Sequence, residues 1–165
     1  MAIDPDMPVF PTVISDLIYT RLATIDPSGI QMWKRPILPQ DAAASPSIGV
    51  FARQAVPQED SREFFGKVPT IERYYVTIHS FVLDVDIEAG LRLSSVLAKT
   101  IYSMLYTDQP LGVGFQSSTS TVGGMLERFK RYGVRQISYV NNQIGNDYFF
   151  LATTEFWFET ETTAM

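Results

Sequence analysis

The chain has 165 residues, enough for one domain whose folding removes roughly two-thirds of the unfolded surface from water. A composition 45% hydrophobic and 19% charged excludes the disordered class. The net charge of −5 argues against broad contact with a phosphate backbone, and the absence of cysteine excludes disulfides and thiolate metal sites.

Residues 1–11 contain Pro5, Pro8 and Pro11 and read as an extended arm, because proline supplies no amide donor and restricts its predecessor. The opening Met-Ala-Ile-Asp-Pro-Asp lacks the basic-then-apolar pattern of a secretory signal, and no run approaches the roughly 18 apolar residues of a membrane span. The chain is therefore expected to be made and kept in a reducing cytosol, or to leave it inside something larger. Val13, Leu17, Ile18, Leu22 and Ile25 repeat at helical spacing, which predicts a helix over 13–25 with Thr12 as N-cap and Pro27-Ser28-Gly29 as the stop.

Gln31–Lys34 reads as a short strand closed by Pro36 and Pro39, and the small, polar residues 40–46 read as a loop. Ser47–Ala55 alternates as a second strand. Residues 57–67, charged but holding Phe64 and Phe65, show no alternation and read as a long loop. From Glu72 to Val85 lies the strongest strand signal. Tyr74, Val76, Ile78 and Val82 point one way and Tyr75, Thr77, Phe81 and Leu83 the other, so both faces are expected to be covered.

Asp86 and Glu88 open a helix to about Tyr106, with an apolar stripe of Leu93, Val96, Leu97, Thr100, Ile101, Met104 and Leu105. The glycine-, serine- and threonine-rich stretch 112–124 reads as a flexible segment. Two strands follow, about 133–140 and 148–159, joined by residues 141–147. In the last, Phe149, Leu151, Thr153, Glu155, Trp157 and Glu159 face away from Phe150, Ala152, Thr154, Phe156 and Phe158. Residues 161–165 remain as a tail. The expectation is a single α+β domain over 12–160, with a mainly antiparallel sheet, a short N-terminal helix and one long helix packed on it, in the order α-β-β-β-α-β-β.

Signals for chemistry are few. His79 is the one histidine, and no Gly-x-Ser-x-Gly elbow accompanies it. Asp84, Asp86 and Glu88 have the spacing of oxygen ligands, but the rest of a calcium loop is missing and helix N-terminal placement accounts for them with no extra assumption. Gly112, Gly114, Gly123 and Gly124 match neither phosphate-binding glycine pattern. No catalytic residue, metal or cofactor is expected. Arg128, Lys130, Arg131 and Arg135 form the one basic cluster, interleaved with Phe129 and Tyr132. Three readings apply to it: a solvated face, an intersubunit contact, or a single-strand nucleic-acid surface.

The stretch Glu72-Arg73-Tyr74-Tyr75-Val76-Thr77-Ile78 to Asp84, then Ile87-Glu88-Ala89-Gly90 and the helix ending Tyr102-Ser103-Met104-Leu105, resembles the tail terminator proteins of long-tailed phages. So do the closing strands Val134–Val140 and Tyr148–Glu159. The resemblance spans about residues 12–160 and rests on element order and pattern. The 1–11 arm and the 112–124 segment have no place on the family pattern, and no individual functional residue carries over.

The resemblance implies an α+β subunit of a hexameric ring that caps the tail tube, stops its polymerisation and joins it to the neck connector or stopper protein. Partners would be further copies, the tube protein, a sheath if the tail contracts, and the neck connector. DNA would pass through an acidic lumen without specific binding, no membrane would be involved, and the protein would assemble in the host cytoplasm into the virion. A ring needs two different patches per subunit. The loop residues Glu59, Asp60, Glu63, Phe64 and Phe65, set against Arg128, Lys130, Arg131 and Arg135 of a neighbour, are chemically complementary. The alternatives are another neck or tube component, a small enzyme using Asp84, Asp86 and Asp147, or a monomeric nucleic-acid-binding module.

Overall fold

The computed structural model describes residues 10–38, 41, 44–57, 70–107, 119–122 and 125–164. The elements are α1 (Phe10–Leu22), β1 (Gln31–Trp33), β2 (Ser47–Pro57), β3 (Thr70–Asp84), α2 (Ile87–Thr107), β4 (Thr119–Val122), β5 (Met125–Ile144) and β6 (Asp147–Ala164). The strands form one sheet in the order β1-β2-β3-β6-β5-β4. Only the β1–β2 pair is parallel. The α+β class and the expected element order hold, with β4 as an additional strand.

Strand alternation sorts the sheet into two faces. On one, Ile48 and Val50 of β2, Val76, Ile78 and Val82 of β3, and Phe150, Phe156 and Phe158 of β6 are buried beneath Ile14, Ile18 and Leu22 of α1 and Leu97, Ile101 and Leu105 of α2. Each such side chain contributes about 1.5–3 kcal/mol on full burial. Gln136 of β5 donates to the Ala98 carbonyl at 3.2 Å and ties α2 to that strand.

Several boundaries differ from the sequence reading. The first helix begins at Phe10, with Pro11 in its first turn, where a missing N–H costs nothing. Its buried stripe is Ile14, Ile18 and Leu22, one residue round from Val13 and Leu17. In α2, Leu93 and Val96 are exposed, while Gly90, Ser94, Leu97, Ala98, Ile101 and Leu105 face inward. The cause is a close approach at Gly90, where an added Cβ would collide with the Phe150 ring. That contact turns the helix about its axis relative to the stripe predicted by hydropathy.

Of the segment 112–124, residues 119–122 are a strand, because they pair with Arg128–Met125. The last two strands are longer than predicted: β5 takes in the basic cluster, and β6 takes in most of the polar tail. Thr160–Thr162 are held between β3 and β5, so backbone pairing from both sides carries polar residues that composition alone assigns to coil. The connection over 141–147 shrinks to a turn at Gly145-Asn146, with Gly145 at φ +62°. That is the two-residue hairpin loop with glycine at its first central position. The 57–67 loop beyond Pro57 and the arm before Phe10 lie outside the described residues.

Candidate functional site

Among the described residues neither α1 nor α2 packs on the second face of the sheet, and three successive register rows of that face carry its charged side chains. Phe51, Thr77, Glu155 and Arg135 form one row across β2, β3, β6 and β5, and Arg53, Tyr75, Trp157 and Gly133 the next. Arg73, Glu159 and Arg131 form the third.

Glu155 and Glu159 are only 1% and 2% exposed. Buried carboxylates need charged partners, and each has two. Arg53, reaching over from β2, and Arg135, at 2.6 Å from β5, both pair with Glu155. Arg73, at 2.6 Å from β3, and Arg131 from β5 both pair with Glu159. Arg73 also lies over the Trp157 ring at 4.4 Å, and Arg53 over Tyr75 at 5.2 Å. The Arg131 and Arg73 guanidinium groups hold Glu159 below the usual carboxylate range, against the opposing effect of burial.

Four guanidinium groups over two carboxylates leave this layer of six groups with two positive charges in surplus, in a chain of net charge −5. The carboxylates lie beneath and the guanidinium edges lie outermost: Arg131 and Arg135 keep 68% and 63% of their side-chain surface. Such a layer can accept an acidic protein surface through donors already fixed in place.

The expected interface residues divide as follows. Arg131 and Arg135 belong to this layer. Lys130 pairs with Glu161 at 2.8 Å, and the exposed Arg128 stands opposite the same residue. Part of the cluster's charge is thus committed to β6 of its own chain. Glu59, Asp60, Glu63, Phe64 and Phe65 lie outside the described residues. Arg53, Arg73, Glu155, Trp157 and Glu159 complete the layer and were absent from the predicted contact. The signal for them was two glutamates four apart on the same face of an otherwise aromatic strand.

The other candidates have local explanations. Asp86 caps α2: its Oδ1 accepts from the Glu88 N–H at 2.8 Å and the Ala89 N–H at 3.2 Å. Asp84 Oδ1 accepts from the Asp86 N–H at 2.9 Å, and Glu88 pairs with Arg92 at 2.9 Å. Among the described residues no group of three or more His, Asp or Glu is placed to hold a metal ion. His79 meets Phe51 edge-on at 5.0 Å, and burial pushes its imidazole below its ordinary value.

A further acid–base pair is structural. Arg35 grips Asp41 through two bonds of 2.6 and 2.9 Å, and the Leu38 N–H donates to the same carboxylate. Together they lower Asp41 to about 2. This clasp shapes the β1–β2 connection where it crosses Gly49, at which a Cβ would strike the Arg35 carbonyl oxygen.

The chain matches no protein-family model and no curated protein. Among the described residues, no helix is long and apolar enough to cross a membrane.

Proposed function

We propose that the chain is a structural subunit of a ring that caps the tail tube of a long-tailed phage, ends tube polymerisation and joins the tube to the neck. The observation that carries this reading is the sheet face opposite α1 and α2, with its four arginines set over two buried glutamates. A broad face of charged donors held in place supports a protein-binding role. The resemblance of residues 12–160 to tail terminators supplies the kind of assembly, a hexameric ring.

In such a ring the surplus positive charge of one subunit would meet acidic groups of the next. Residues 57–67, with Glu59, Asp60 and Glu63, are the sequence's candidate for that complement. Heterologous contacts of this kind close into rings when the rotation between subunits permits. Tube, neck connector and, in a contractile tail, sheath would bind the ring's rims, with DNA passing through its lumen and the whole becoming part of the virion.

The reading is tested by native mass spectrometry of the protein alone and with tail tubes, with electron microscopy of the mixture. Six copies at one end of tubes of fixed length are the expected result. A protein that stays monomeric and leaves tube growth unchanged would sink the proposal. Binding to portal complexes in place of tube ends would move it to a different neck component.

A further inference from the structure

The outer edge of β5 changes character along its length. Its first residues, 125–128, are covered by β4. Beyond them the edge has no strand neighbour among the described residues. Residues 128–135 bring Arg128, Lys130, Arg131 and Arg135, and a register irregularity falls between Phe129 and Arg131. Charges and bulges of this kind keep a sheet edge from pairing with another chain.

The second half has no such protection. Gln136-Ile137-Ser138-Tyr139-Val140-Asn141-Asn142-Gln143-Ile144 contains neither charge nor proline. Ile137, Tyr139 and Val140 are 47%, 52% and 49% exposed. After the irregularity between Gln136 and Ser138, pairing with β6 is regular up to the turn. Ser138–Ile144 is therefore an uncharged strand in regular register whose outer edge has no strand neighbour among the described residues, with the Gln143 N–H held by Asn142 Oδ1 at 2.8 Å.

We infer that this edge pairs with the same edge of a second copy, antiparallel, about a two-fold axis at Val140. Two features select that occupant. The uncharged run is centred on Val140, so the pairing sets Ser138 against Asn142, Tyr139 against Asn141 and Val140 against itself. Arg135 then falls beside the partner copy's Gly145 turn, and no arginine meets another. The sheet's opposite edge, β1, has three residues and is too short to cover the run. The pair would join two sheets into one across the axis and leave the Arg53–Arg73–Arg131–Arg135 face unobstructed. The inference stands independently of the ring reading.

The chain has no cysteine of its own, so single cysteines report the contact cleanly. Ser138→Cys, Tyr139→Cys, Val140→Cys, Asn141→Cys and Asn142→Cys would be oxidised one at a time, with Arg92→Cys on α2 as a control. Disulfide-linked dimers should peak at Val140→Cys and fall away on both sides. In parallel, sedimentation equilibrium should show wild-type dimers and, for Val140→Lys, self-association weakened by about tenfold or more, since two like charges would meet on the axis. Equal cross-linking at Arg92→Cys, no dimer at any edge position, or a maximum displaced from Val140→Cys would overturn the inference. Tube-capping rings formed equally by Val140→Lys and wild type, without edge cross-links, would remove the inference and leave the ring reading intact. Edge-linked dimers of a protein that ignores tubes would do the reverse.

Discussion

Trp157 lies over Gly133, its register partner on β5, and the indole fills the space that a side chain at residue 133 would occupy. Arg73 covers the same ring at 4.4 Å. The missing side chain thus lets an aromatic ring lie flat across the strand boundary, between the Glu155 and Glu159 rows. Gly133→Ala should cost about 1–3 kcal/mol, the penalty for overpacking a filled site. Urea unfolding against wild type measures it, and a neutral result would mean that the ring can move aside.

Glu159→Gln tests the charged layer. Its carboxyl is held low in the folded chain by Arg131 first and Arg73 second. A depressed folded pKa gives stability that is complete above the unfolded value of about 4.3 and is lost as pH falls through the lower folded value. The substitution should therefore cost about 1–3 kcal/mol at pH 7, a buried-pair penalty reduced by the hydration of Arg131. The gap from wild type should narrow below about pH 4. A gap of unchanged size at acid pH would assign the effect to packing alone.

His79 predicts a second, separate window. Burial lowers its pKa from 6.5, so the folded chain keeps it neutral while the unfolded chain takes up a proton. Its contribution is complete above 6.5 and declines as pH falls toward the folded value. Thermal midpoints of wild type should drop as pH falls below 6.5, and His79→Gln should flatten that drop. Equal slopes would exclude His79 as the source.

The Asp84–Asp86–Glu88 run is predicted to act through helix capping. Asp86→Ala removes the acceptor for the Glu88 and Ala89 N–H groups and should cost about 1 kcal/mol. Asp86→Asn keeps an acceptor oxygen and should retain most of the stability. Denaturant unfolding of both variants, with and without calcium, separates the roles. A calcium-dependent shift in wild type that Asp86→Ala abolishes would restore the metal reading.

Much of the fold was legible in the sequence. Period-two alternation in 72–85 and 148–159 sorted the residues of both central strands into two faces, and one of those sets, with Phe150, Phe156 and Phe158, lies under the helices. Asp86 was legible as a helix start because capping is a local interaction. The ends were less so. Thr160–Ala164 and Met125–Tyr132 become strand because neighbours remote in sequence supply their hydrogen bonds. Local composition holds no trace of such partners.

The α+β class, the order of elements, the lack of any thiol chemistry and the position of one basic cluster can be read along the chain. Those follow from periodicity and composition, which are properties of the chain alone. The partners of the basic cluster, by contrast, come from the fold. Arg131 and Arg135 are joined by Arg53 and Arg73 from strands more than fifty residues away, because register brings all four over Glu155 and Glu159. The fold also decided that α2 turns Leu93 and Val96 to the outside, since the approach of Gly90 to Phe150 sets the rotation of the helix. Both outcomes depend on which strands lie side by side, and no local pattern specifies that.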